Sequence, residues 1–296
     1  MKKSNRPNKK PSSFEGKVIT NCNPSASDSD WGIDLLDQAD AFFGRWGKRK
    51  KSKAKADAID WSQVVDLTSN KSWWRRAADQ GRTGSCVGQA VGDVIWYSLV
   101  TKDIVPNHAQ KHRPSKEYLW QASKETDAWT SVPTGFIDSA GTYIKDCLNV
   151  ARKYGVTPEF VHPSFKGHSV LLSPAQYYEI ASRIRIRAYY GVKAEGRDGA
   201  AHSTMRQWLL KQQTPIVARL GCDPGFFKAN HANYELRDYD ESYRYKNGHA
   251  IIVAGCKPGW LLIKNSWGKR WGRNGYVWMS DEYAAAALTE GYGVTV

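Results

Sequence analysis

Apolar and polar positions follow two different periods along this chain, and the change falls near its middle. In "CVGQAVGDVIWYSLV", Val87, Val91, Val94, Ile95 and Leu99 recur at helical spacing, which predicts a helix with one apolar stripe. "AGTYIKDCLNVARKYGV" repeats the pattern with Ile144, Cys147, Leu148 and Ala151, and Gly155 stands where a helix C-cap glycine is expected. "SRIRIRAYY" has the other period. Ile184 and Ile186 alternate with Arg183, Arg185 and Arg187, as in a half-buried strand with a basic outer face. "STMRQWLLKQQ" reads as another helix and "TPIVARLGC" after it as a buried strand. "GHAIIVAGC", "GWLLIKNSWG" and "GYVWMS" are further strand-like runs between Gly-rich turns. The chain is therefore expected to be α+β, helical first and β afterwards, without internal repeats.

Residues 1–56 break this pattern and are expected to form a basic N-terminal extension to a domain over 57–296. Five of the first ten residues are basic, and "KRKKSKAK" over 48–55 carries six basic residues in eight. Between them, Leu35, Leu36, Ala39, Phe42, Phe43 and Trp46 form an apolar stripe on a short predicted helix. A helix of that length is marginal alone and needs a surface to dock on. The basic run is a candidate processing site, and the extension is a candidate contact for nucleic acid or a protein partner.

Composition adds bounds. The 296 residues suffice for one large domain or two small ones, and the net charge of +14 favours acidic or nucleic-acid partners. No apolar run reaches the roughly 18 residues of a membrane span, and the basic start has no apolar stretch after it to make a secretory signal. Cys22, Cys86, Cys147, Cys222 and Cys256 are odd in number, widely spaced and without a C-x-x-C, so neither a disulfide framework nor a metal site is expected. The expected setting is intracellular, cytoplasmic and reducing. Cys147, Cys222 and Cys256 fall in apolar runs and are expected in the core, while Cys22 is expected to be exposed in the polar tail.

Cys86 differs in its surroundings. Gly84 and Ser85 precede it and a helix pattern begins at it, so the positive end of a helix dipole stabilises a thiolate there. His249 is a candidate base. It opens "HAIIVAGC", "KPG" turns the chain, and "WLLIKNSWG" returns. A hairpin centred on Lys257 places His249 directly opposite Asn265, whose amide carbonyl can orient an imidazole. Gln80 is a candidate oxyanion donor beside the Cys86 N–H. Losing one such donor typically costs roughly 3–4 kcal/mol of transition-state stabilisation.

"QGRTGSC", "GHAIIVAGC" and "WLLIKNSWGKRWGRNGYVWM" resemble the Cys, His and Asn segments of the papain-like cysteine proteases. The resemblance implies a two-lobe fold, a helical lobe and an antiparallel β-barrel lobe with the cleft between them. It implies Cys86 as nucleophile, His249 as base, Asn265 as orienting group and Gln80 as oxyanion donor, with Trp267 shielding the His–Asn pair. Gly84, Ser85 and Gly248 fall within its motifs, and Gly141 in "DSAGTY" matches the glycine that pairs with substrate backbone. No cofactor or metal is implied, and the substrate is a protein or peptide. The sequence departs from the pattern where Thr83 replaces a disulfide cysteine and Val87 an aromatic residue. The long spacing from Cys86 to His249 implies insertions, in 155–205 or in "NHANYELRDYDESYRYKNG", which would shape the substrate pocket. The expected function is an endopeptidase working through a thioester. The alternatives are an acyl-transfer enzyme (ligase, amidase or isopeptidase) on the same fold, or a silent binding protein acting through its basic tail.

Overall fold

The computed structural model describes residues 20, 22–25, 59–126, 141–163, 173–196, 199 and 203–296. In chain order the elements are β1 (Cys22–Asn23), β2 (Val65–Asp66), α1 (Ser72–Arg75), α2 (Cys86–Thr101), α3 (Lys116–Thr126), β3 (Thr142–Tyr143), α4 (Ile144–Lys153), α5 (Pro174–Ala181), β4 (Ala188–Gly191), α6 (Thr204–Gln212), β5 (Ile216–Gly221), α7 (Pro224–Lys228), β6 (Glu235–Leu236), β7 (Gly248–Lys257), β8 (Trp260–Lys264), β9 (Tyr276–Ser280), α8 (Asp281–Ala287) and β10 (Leu288–Thr295). The expected amphipathic helix and the basic run over 48–55 lie outside the described residues.

The helical half packs α2 against α3, and α3 against α4. The β half is one sheet in the order β4-β10-β5-β7-β8-β9-β6, antiparallel except where β6 joins β9. Helix α2 lies between the halves and packs on β7. It is buried from Cys86 through Leu99 on every side, so the stripe expected from the sequence is only part of its buried surface. In α4 the expected face of Ile144, Cys147, Leu148 and Ala151 is buried. Gly155, with φ +97°, follows this helix and sends its N–H back to Val150 O.

Two buried ionic contacts hold the sheet in place. Lys264 on β8 donates from Nζ to Asp93 Oδ2 on α2 at 2.8 Å and sits over the Trp74 ring at 4.0 Å. Lys116 on α3 pairs with the other Asp93 oxygen at 2.7 Å. Burial opposes ionisation of Asp93, but the two ammonium groups outweigh it and hold the carboxyl well below its usual range. Burial pushes Lys264 down to about 8, with Asp93 opposing. Arg206 on α6 pairs with Asp281 at 2.7 Å and donates to the carbonyls of Lys257 and Trp260 on either side of the β7–β8 turn.

Candidate active site

Cys86 is the first residue of α2 and is fully buried. No side chain caps this helix. Ser85 turns its hydroxyl to Thr83 Oγ1 at 2.7 Å instead, so the positive end of the dipole is aimed at Cys86 without a competing cap.

His249 is the second residue of β7 and pairs in the sheet with Leu220 of β5. Its Nε2–H donates to Asn265 Oδ1 at 2.7 Å, and the same oxygen accepts from the Ser266 backbone N–H at 2.7 Å. Two donors on one oxygen fix which way the amide points. His249 Nδ1 is buried and has no hydrogen-bond partner. Burial pushes the imidazole down to about 4, partly offset by Asn265. Trp267 covers the pair, its ring 4.6 Å from that of His249, and Phe226, Phe227 and Trp271 pack around it.

The register that brings His249 to Asn265 differs from the symmetric hairpin about Lys257 expected above. Lys257 pairs with Trp260, so Pro258–Gly259 form the turn. Next to the turn Gly255 faces Leu262, but beyond Ala254 it is Val253 that faces Ile263 and Ile252 that faces Lys264. Ala254 is thus one extra residue, a β-bulge. Carried on, this register sets Asn265 opposite Ile251 and His249 two residues along on the same face, so the hydrogen bond runs diagonally. Were Ala254 paired with Ile263 instead of bulged, Asn265 would fall opposite Ile252 and point away from His249.

Gln80 is buried and held at both ends of its amide. Ser266 Oγ donates to Oε1 at 2.6 Å, and Nε2 donates to Thr83 O at 2.9 Å. The bridge between Asp79 and Trp267 and the bond from Gly268 N to Ala78 O join the segment before Cys86 to the segment after Asn265. Ser266 and Thr83 were not singled out from the sequence as supports for Gln80. Neither has a spacing signal, because their partners are fixed only by tertiary pairing.

Cys22 is 2% exposed, which corrects the expectation of an exposed tail cysteine. The reason is that Cys22–Asn23 form a short strand that touches both halves of the molecule. On the helical side Cys22 and Asn23 pair with Thr142 and Tyr143, the strand that begins directly after Gly141. On the β side Arg219 Nε donates to Cys22 O at 2.8 Å. A Cβ on Gly248, the residue before His249, would lie 2.2 Å from that carbonyl. Ser25 N donates to Glu290 Oε1 at 3.0 Å, and Ser25 Oγ accepts from Lys145 N. Burial raises the Cys22 thiol well above its ordinary value, and a thiolate at Cys86 opposes its ionisation further. The loop before His249 folds back on β5, with Tyr239 Oη donating to Gly221 O at 3.1 Å.

No protein-family model matches the chain. Over 215 residues it is 24% identical to an uncharacterized peptidase C1-like protein of Acanthamoeba polyphaga mimivirus, covering 70% of this chain and 65% of that protein. A cathepsin L-like proteinase of Fasciola hepatica is 20% identical over 233 residues, covering 77% of this chain and 61% of that one. The chain thus spans just under two thirds of the length of these relatives. Among solved structures, xylellain, a cysteine protease of Xylella fastidiosa, superposes with a TM-score of 0.66 at 21% identity, covering 95% of this chain and 97% of that one. The chain is papain-like: it has the fold of the C1-type cysteine proteases and carries segments that resemble theirs around Cys86, His249 and Asn265.

Proposed function

We propose that this chain is a cysteine peptidase, acting as an endopeptidase on extended polypeptide. The observation that carries the reading is the His249–Asn265 hydrogen bond. It commits Nε2 and leaves Nδ1 as the nitrogen able to exchange a proton with Cys86. The way residues 22–25 lie supports the same reading, since the cleft already holds an extended strand by backbone pairing and by Arg219.

In this mechanism His249 Nδ1 takes the Cys86 proton and the thiolate attacks the peptide carbonyl. Gln80 and the Cys86 N–H hold the oxyanion. The C–N bond breaks as His249 gives the proton to the leaving amine. Water, deprotonated by His249, then hydrolyses the thioester and frees the thiol. Gly141 and Gly248 leave room for substrate backbone at the two walls. Residues 22–25 must leave before substrate enters, which makes the N-terminal extension a cover over the site. An intracellular, reducing setting suits a thiol nucleophile with four further free cysteines.

The test is labelling by an epoxide thiol inhibitor, read by intact and peptide mass spectrometry. Stoichiometric modification of Cys86 is expected, faster after removal of residues 1–56 and lost in His249→Ala. A folded protein that stays unlabelled in both forms refutes the proposal in favour of a silent binding protein. Labelling with products joined to added amines rather than water assigns the acyl-transfer alternative.

A further inference from the structure

A groove of about 640 Å³ lies beside β8 and β9. Arg75, Arg76, Lys269 and Arg273 line it, with Tyr234 and Trp278 as aromatic walls. Asp66 is its one acidic lining residue. Its carboxylate accepts from the Thr68 N–H, the Thr68 hydroxyl and the Ser69 hydroxyl. Among the described residues, no carboxylate forms an ion pair with any of the four cations. Arg273 instead donates to Tyr234 Oη at 3.1 Å and lies over that ring at 5.2 Å. Four cations gathered beside a single carboxylate, Asp66, that pairs with none of them repel one another.

The groove is lined by residues a few positions along the chain from the candidate active site. From Arg76 the chain runs through Ala77, Ala78 and Asp79 to Gln80. From Lys269 it runs back through Gly268 to Trp267. The Asp79–Trp267 bridge and the Gly268–Ala78 bond pin these two segments together. Four residues of extended chain span at most about 14 Å, so a polypeptide held at Gln80 reaches the cations within four or five residues.

We propose that this groove binds an acidic stretch of a polypeptide substrate, so that aspartates and glutamates on one side of the cleaved bond select what is cut. The proposal rests on the peptidase reading for its substrate, but not for its binding. A peptide is favoured over nucleic acid by the short length of the groove, which holds a few residues rather than a track of phosphates. It is also favoured by the nearness in the chain of Arg76 and Lys269 to segments around a site that already pairs with peptide backbone.

The experiment uses the full chain with Cys86→Ala and fluorescence anisotropy. The probes are a short acidic peptide, the same peptide with Gln and Asn in place of Glu and Asp, and a short single-stranded DNA. Binding of the acidic peptide is expected to be about tenfold tighter than of its amide counterpart at low salt, and to weaken as salt rises. The preference should disappear in Arg75→Glu with Arg273→Glu and shrink in Arg75→Gln with Arg273→Gln. Circular dichroism of the Gln pair guards against misfolding. Equal binding of both peptides, a preference that survives in the Glu pair, or tighter binding of DNA lost in the same variants would each overturn the proposal. Cleavage assays on the unmodified chain with the two peptides separate the two readings. Binding without any cleavage, also after removal of residues 1–56, sinks the peptidase and leaves the groove as an acidic-peptide site. Equal cleavage without preferential binding does the reverse.

Discussion

Two regions meet at Cys86, and they are held by different kinds of contact. The β7–β8 hairpin that carries His249 and Asn265 is inside an extended ladder, fastened by the buried Arg206–Asp281 and Lys264–Asp93 pairs. The Cys22–Ser25 strand is fastened by a two-residue ladder and a few hydrogen bonds to Arg219, Glu290 and Lys145. Segments with few buried contacts open at far lower free energy than core strands. On the proposed function, the His249–Asn265 pair is therefore built into the part that does not open, and access to Cys86 into the part that does.

The largest effect should come from breaking the hairpin's register. Deleting Ile263 while keeping the bulge draws Asn265 opposite Ile252 and turns it away from His249, so labelling of Cys86 is expected to vanish; labelling at the parental rate would refute the register argument. Next is Arg206→Met, which leaves Asp281 buried and frees the carbonyls of Lys257 and Trp260. Losing one partner of a buried pair costs about 3–5 kcal/mol, measurable by guanidinium unfolding. A change under about 1 kcal/mol would mean that the hairpin does not depend on it.

A pH effect of similar size is expected from His249. Its folded value of about 4 lies below the ordinary 6.5, so the unfolded chain binds the proton first as pH falls. The stability this contributes is complete above pH 6.5 and declines by about 3 kcal/mol on going down to pH 4, where it levels off. Unfolding curves of the parent and His249→Gln across that window should converge. Parallel curves would show that the imidazole is not buried neutral.

The smallest change sharpens the comparison. Gly248→Ala places a methyl 2.2 Å from Cys22 O and 2.4 Å from an Arg219 guanidinium nitrogen, and the weaker region should give way. Labelling by a small alkylating reagent is expected to accelerate, with a loss of stability of no more than about 1 kcal/mol. Slower labelling with a large fall in melting temperature would mean that the wall moved and the strand stayed.

Much of this was legible in the chain. Apolar runs between turns marked β5, β7, β8 and β9, period 3.6 marked α2, α4 and α6, and the residues around Cys86, His249 and Asn265 stood out by type and order; the alternation of Ile184 and Ile186 with arginines precedes β4 instead of lying in it. The register about Lys257 was misplaced because the turn falls at Pro258–Gly259; the bulge that takes one residue back has no local signal, since Ala254 sits in an unbroken apolar run. That all sides of α2 are buried followed from its central position between the two halves, which no helical period encodes. Helix α3 and strand β10 escaped notice because their apolar residues are interleaved with polar ones, and α8 because its apolar run from Tyr283 to Ala287 is too short to show a period. Cys22 was misjudged because its neighbours are polar, and only pairing with Thr142 and Tyr143 draws it inside. The basic groove was likewise invisible, since Arg75 and Arg273 lie far apart in sequence.

The strand over Cys86 belongs to the same chain, so its occupancy does not change on dilution. A tethered segment of this kind acts at an effective concentration on the order of millimolar. A free peptide of equal intrinsic affinity, supplied at micromolar level, would occupy the cleft about a thousandth as often. Turnover would then track whatever lifts or cuts the tether, not the amount of substrate. A partner that grips the extension would act as a switch without touching Cys86 or His249.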